Sequence, residues 1–220
     1  MFKSIFISLL LFLPKFISQP ILKKFFLFHL VNSNISPLNY FNFKTAHIEN
    51  TSIGHFNFFK VQHLNFINSK VRNFNIIQLL WMIELNGSFL GKGNKIYGFK
   101  SNDLLPEKQC IFKMGKRSEL SGKHFFDVSN SITLGNNVVV GGFNSVFWTH
   151  GYDFKRNFKA SPIKIGNNVF IGSHSSITHG VEIKDNITIG TRSVITKSLL
   201  KSGFYVASNK IIHLYKKEKF

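Results

Sequence analysis

From Ile165 to Ile195 every sixth residue is isoleucine: Ile165, Ile171, Ile177, Ile183, Ile189 and Ile195. Upstream, Val128, Leu134, Val140 and Val146 keep the same step. A period of six suits neither a helix, with about 3.6 residues per turn, nor a plain strand, which alternates in twos. It marks a parallel β-helix, in which each hexad makes one face and one corner of a coil. The repeated aliphatic points inward and stacks on its counterparts above and below. Glycine often follows it, as in Leu134-Gly135, Ile165-Gly166, Ile171-Gly172 and Ile189-Gly190. Gly135-Asn136-Asn137 and Gly166-Asn167-Asn168 supply residues that tolerate left-handed or cramped corner dihedrals.

The repeat divides the chain. Residues 39–200 are expected to form the β-helix domain. The repeat is firm from Ser118 onward and degenerate over Tyr40–Ile77, where Val61 and Ile67, then Val71 and Ile77, are six apart. Between them Trp81–Leu85 reads as one strand, and Gly87, Gly91, Gly93 and Gly98 as turns and corners. Residues 1–38 form a hydrophobic, basic, helical segment that either lies in a membrane interface or caps the open end of the coil. Its apolar run Ile5–Leu13 is too short to cross a bilayer, which takes roughly 20 residues. No small-residue cleavage site follows in Pro14-Lys15-Phe16-Ile17. Residues 201–220 read as a frayed basic tail.

Composition narrows the partners. The formal charge is +18, carried by 24 Lys and only four Arg. It favours anionic partners, among them lipid head groups and acidic glycans. Scarce arginine argues against nucleic acid. The 26 Phe read as a coding bias rather than a design rule. Cys110 is the single cysteine, which leaves no disulfide framework and fits a reducing compartment.

The repeat also breaks. Eighteen residues lie between Val146 and Ile165, so the two stretches are one residue out of phase, and segment 147–164 is expected to leave the coil as a loop. That segment is aromatic and polar at once and carries His150. Loops projecting from rigid scaffolds are where sites usually sit.

Thr149-His150, the loop, Pro162-Ile163-Lys164-Ile165-Gly166-Asn167-Asn168-Val169-Phe170-Ile171-Gly172-Ser173, then Gly180-Val181-Glu182-Ile183 and Ser193-Val194-Ile195-Thr196-Lys197 follow in a specific order. Together they resemble the hexapeptide-repeat O-acetyltransferases, which include galactoside, maltose and surface-polysaccharide acetyltransferases. The resemblance is dense over 118–200. It implies an all-β, left-handed parallel β-helix, an exception to the usual crossover hand, assembled as a homotrimer with sites between subunits. It implies acetyl-CoA as co-substrate with no metal. His150 becomes the general base that takes the acceptor hydroxyl's proton, with no covalent enzyme intermediate. On the cofactor side it assigns Phe170, Ser173, Thr191, Thr196 and Lys197, the last near the nucleotide phosphate. On the acceptor side Lys123-His124-Phe125-Phe126-Asp127 resembles a stretch of the polysaccharide subgroup, giving Asp127 and His124 as contacts with Trp148 beside the base. Asp127 either binds a sugar hydroxyl or orients His150.

There are departures from the family pattern. Thr191 replaces a common Ala, Ser198-Leu199 stands where Asp-Pro is usual, and Ser208-Asn209-Lys210 replaces Gly-x-Pro. The function expected is acetyl transfer to a sugar hydroxyl of a surface polysaccharide or lipid-linked glycan precursor, in the cytoplasm or on the inner face of the membrane. Two other readings stand beside it. His150, His174 and His179 are spaced like the zinc ligands of γ-class carbonic anhydrases, although no Arg-Gly-Asp accompanies them. A non-catalytic, membrane-associated scaffold is the other.

Overall fold

The computed structural model describes residues 2–13, 21–22, 24, 26–99 and 109–207. The chain is a three-sided parallel β-solenoid. Its first face begins with Phe28–Val31 and ends with Glu182–Ile183. The second runs from Asn34–Ile35 to Gly203–Tyr205 through nine strands. The third runs from Tyr40–Asn42 to Val194–Ile195. Strands Phe58–Ile67 and Ile76–Asn86 bend around the corner between the third and first faces and join them into one sheet.

The isoleucine repeat places one residue inside each face in turn, and all six isoleucines are buried. On the third face the inward row is Phe41, Phe59, Ile77, Ile96, Phe126, Phe147, Ile177 and Ile195, paired rung by rung. Phe41 stacks on Phe59 at 5.1 Å and Phe126 on Phe147 at 4.4 Å. Each such side chain removed from water contributes about 2–3 kcal/mol. Phenylalanine is therefore a core residue of this coil rather than a compositional accident.

At the corner from first to second face each turn carries one left-handed residue: Asn32, Asn50, Asn68, Gly87, Arg117, Asn137, Asn168 and Asn186. Asparagine thus supplies the dihedral. The glycine two residues earlier serves packing instead, since a Cβ on Gly135 would stand 2.7 Å from the Gly166 carbonyl oxygen. Gly91 and Gly98, read from the sequence as corners, lie within strands Phe89–Lys92 and Lys95–Gly98.

A polar ladder runs inside the corner from second to third face. The Asn39 carboxamide oxygen accepts from the Asn57 backbone, and Asn57 and Asn75 repeat the pattern up to Asn94. His124, Ser145, Ser175 and Ser193 continue it. Each rung satisfies a buried backbone donor that would otherwise cost about 1–3 kcal/mol.

The N-terminal helix α1 spans Phe2–Leu10. Its Ile7 and Leu10, with Leu22, are buried in the same core as the coil, so this segment covers the open end. Ile5, Phe6, Leu9, Phe12 and Leu13 remain exposed. The solenoid begins earlier than residue 39, because Phe28–Val31 pairs with Thr45–Glu49. Gly203–Tyr205, within the expected tail, pairs with Ile187–Ile189. Ser208-Asn209-Lys210 and the remainder of the tail lie outside the described residues. Among the described residues no helix is long and apolar enough to cross a membrane.

Candidate active site

Two irregularities of the coil build the site. Val140 and the next inward residue, Phe147, are seven apart, where Leu120 and Phe126 below, and Ile171 and Ile177 above, are six apart. The extra residue therefore sits in corner 141–146, not in segment 147–164. Val146 is half-buried while Phe147 is inside. The corner absorbs the extra residue with left-handed Gly142 (φ 66) and Asn144 (φ 59). A Cβ on Gly142 would meet that of Ser173 at 2.5 Å.

The second irregularity is a true excursion. Sixteen positions separate Phe147 from Ile163, where six separate their rung partners Phe126 and Ile132. The extra chain is an antiparallel hairpin, His150–Tyr152 against Phe158–Ala160. Asp153 closes its tip: Oδ1 accepts from the backbones of Lys155 (2.8 Å) and Asn157 (3.0 Å). Those bonds, that from Asn157 foremost, hold the Asp153 carboxyl below its usual pKa. At the base, the Ser161 amide donates to the Thr149 carbonyl at 2.9 Å. Phe99 lies 6.4 Å from the His150 ring and 5.9 Å from Phe158.

The hairpin sets His150 beside Asp127. Nδ1 of His150 stands 3.0 Å from Oδ2 of Asp127, with the two side chains 21% and 14% exposed. The register explains the meeting: Asp127 pairs with Trp148 one rung up, two residues before the histidine. Asp127 is itself clamped. Its Oδ1 accepts from the Ser129 amide at 3.0 Å and the Ser129 hydroxyl at 2.8 Å. The buried Thr149 hydroxyl donates to the Asp127 carbonyl at 2.9 Å and accepts from the Asn130 amide at 2.9 Å. Ser129 Oγ also lies 3.1 Å from His150 Nδ1. Phe158 stacks on the imidazole at 5.4 Å, and Trp148 and Tyr152 meet it edge-on. A carboxylate on Nδ1 favours the tautomer whose proton is there, and leaves the Nε2 lone pair free to take a proton.

The other expected residues divide by corner. Trp148 is exposed next to His150. His124, three residues before Asp127, lies at the far corner of the third face within the polar ladder. Its amide donates to Asn94 Oδ1 at 3.0 Å, and its Nδ1 accepts from the Ser145 amide at 3.2 Å. Burial pushes its pKa from 6.5 down to about 4, partly offset by the Val140 carbonyl. It is a coil-interior residue apart from His150. Phe170 is exposed on the second face, and Ser173 and Thr191 follow at the corner beyond it. Thr196 and Lys197 are exposed past the end of the third face, on the same side of the coil as the hairpin. The third face therefore separates the two halves of the expected cofactor set within one chain. His174 packs on Phe143 at 4.8 Å. His179 stands against the hairpin, its Nε2 3.2 Å from where a Gly151 Cβ would be. His150, His174 and His179 do not converge, and among the described residues no three His, Cys, Asp or Glu side chains group as metal ligands. Sequence reasoning missed Ser129, Thr149 and Phe158. A serine two residues after an aspartate, able to close a local side-chain turn, was the available signal.

The rungs that follow the hairpin are the part of the solenoid in which the chain is similar to known proteins. Residues 162–197 match the bacterial transferase hexapeptide (six repeats) family. Over 106 residues the chain is 37% identical to galactoside O-acetyltransferase of Escherichia coli, which covers 42% of this chain and 51% of that protein. A 51-residue stretch is 47% identical to bifunctional protein GlmU of Campylobacter hominis, covering 23% of this chain and 11% of that one. A maltose O-acetyltransferase structure from Clostridium difficile 630 aligns at 28% identity and TM-score 0.41, over 44% of this chain and 55% of the other. The chain thus spans about half the length of the galactoside enzyme.

Proposed function

We propose that this chain is an O-acetyltransferase that moves an acetyl group from acetyl-CoA to a hydroxyl of a surface polysaccharide or lipid-linked glycan. The observation that carries the reading is the 3.0 Å Asp127–His150 pair on a hexapeptide solenoid. Asp127 holds Nδ1, and Nε2 of His150 takes the acceptor hydroxyl's proton as that oxygen adds to the thioester carbon. The imidazolium then returns a proton to the departing sulfur, so that an ester and free CoA thiol leave and the enzyme is unchanged. The exposed Phe170 ring, Ser173 and Thr191 would hold the pantetheine arm. Thr196 and Lys197 would hold the nucleotide end, with the Lys197 charge suited to a phosphate. Because the third face lies between these groups, a complete site draws on two adjacent copies, which fits a homotrimer. The charge of +18 and the exposed apolar side of α1 support peripheral association with an anionic membrane.

Thiol release from acetyl-CoA, measured with glycan acceptors for the wild type and His150→Ala, tests the reading. Acceptor-dependent release lost in the variant supports it. Equal release by both proteins, or none by the wild type with polysaccharide isolated from the source cells, rejects it.

A further inference from the structure

On the outer side of the third face three rings follow one another toward the base. Tyr97 lies 5.8 Å from Phe125 at an interplanar angle of 29°, and Phe125 lies 5.2 Å from Trp148. Trp148 then meets the His150 ring at 6.3 Å, edge-on. The rings belong to three successive turns, on strands Lys95–Gly98, Phe125–Val128 and Val146–Trp148. With about 4.8 Å between rungs the strip is about 10 Å long, more than one sugar ring covers. Strand alternation explains its direction. Ile96, Phe126 and Phe147 point into the coil, so Tyr97, Phe125 and Trp148 point out.

The strip has a charge bias. Lys95 is exposed and stands directly beside Phe125 in the ladder. Lys60 is exposed two turns nearer the N-terminal end. Among the described residues Asp127 is the one carboxylate on the outer side of this face. Both its oxygens are engaged by His150 and Ser129. Among the described residues no other carboxylate on this face opposes an anionic ligand.

We propose that Tyr97, Phe125 and Trp148 form a platform that holds several consecutive sugars of an anionic polysaccharide, lying along the coil axis with one hydroxyl at His150. Aromatic faces carry partial negative charge and attract the C–H edges of a pyranose, while apolar ring area excludes water. Lys95 pairs with carboxylates along the polymer. The acceptor is then a chain, recognised on the side of His150 toward the N-terminal end, rather than a free monosaccharide. This deepens the acetyltransferase reading. Its test is binding without acetyl-CoA, so that it and the transfer reaction fail separately.

The full-length protein is titrated with oligosaccharide ladders from disaccharide to decasaccharide, one uronic-acid-containing, one sialic-acid-containing and one neutral, by calorimetry. Affinity for at least one anionic ladder should rise with length and then level off. Tyr97→Ala with Phe125→Ala should remove the length dependence, lowering decasaccharide affinity about tenfold or more. Tyr97→Phe and Phe125→Tyr keep the rings and should keep it. Lys95→Ala should weaken the anionic ladder and leave the neutral one unmoved. No length dependence with any ladder overturns the proposal. So does unchanged affinity in the double variant with an unchanged thermal melt. Dissociation of an oligomer by that variant in sedimentation would show instead that a second copy covers the strip, and also overturns it.

Discussion

Oδ2 of Asp127 stands 3.0 Å from Nδ1 of His150, although one belongs to a strand of the regular coil and the other to the root of an inserted hairpin. Strand register brings them together, and Ser129 and Thr149 hold the carboxylate in place. On the proposed function the pair works as a positioned base rather than as two independent residues. His150→Ala should lower kcat about 10²–10⁴-fold. Asp127→Asn should cost about 10–100-fold, by analogy with carboxylates that orient ligating histidines. The double variant should be little worse than His150→Ala alone, because both remove one function. Strictly additive losses in acetyl-CoA thiol release would refute this coupling.

Ser129→Ala removes the hydroxyl that donates to Asp127 at 2.8 Å and leaves its backbone bond at 3.0 Å. A charge-assisted bond of this kind is worth about 1.5–3 kcal/mol. A several-fold fall in kcat with KM for acetyl-CoA unchanged is expected. A rise in that KM alone would place Ser129 in cofactor binding instead.

Gly142 takes up the extra residue of its corner in a left-handed conformation, against Ser173. Gly142→Ala adds about 1–2 kcal/mol of backbone strain together with a Cβ overlap. Both a lower melting temperature and weaker acetyl-CoA binding should follow, since Ser173 must shift. Weaker binding is the informative part. A variant that melts early yet binds acetyl-CoA normally would detach Ser173 from the cofactor site.

His124 is buried and its pKa is lowered from 6.5 to about 4. Above about 6.5 the ring is neutral in both folded and unfolded chains and adds no pH dependence. Between 6.5 and about 4 the unfolded chain binds a proton that the folded one refuses. Stability should therefore fall as pH drops through that window, by at most about 3 kcal/mol. His124→Asn would extend the asparagine ladder and flatten the slope. Urea unfolding between pH 7 and pH 5 decides the matter, and an unchanged slope in the variant assigns it to other groups.

The exposed side of α1 and the turn after it, with Ile5, Leu9 and Phe12, is the apolar surface a bilayer interface would receive. Leu9→Glu with Phe12→Glu should abolish co-flotation with vesicles rich in phosphatidylglycerol, and leave the melting temperature within a few degrees because Ile7 and Leu10 still cap the core. Flotation by the wild type with neutral vesicles alone would remove the electrostatic part of the idea.

The C-terminal half of the solenoid was legible because its inward positions are β-branched aliphatics at strict spacing, with asparagine at the corners. The N-terminal half was legible only as a degenerate repeat, for two physical reasons. Phe41, Phe59, Phe66 and Phe112 take inward places that an aliphatic search passes over. Strands Phe58–Ile67 and Ile76–Asn86 also run through a corner without a break, so no turn residue punctuates them. The extra residue was put in the wrong segment for a related reason. Val146 fits the aliphatic pattern, yet packing selects the larger Phe147 to stack on Phe126.

Sequence alone determined the repeat, and with it a stacked three-sided coil, because a six-residue step satisfies only that geometry. It also marked His150 as the residue of the excursion. Tertiary structure decided which neighbours matter. Asp127 and His124 are three residues apart, but one faces outward at one corner and joins His150, while the other turns inward at the opposite corner and joins a ladder. A strand's alternating sides and the register between turns make that choice, and neither can be read from spacing along the chain.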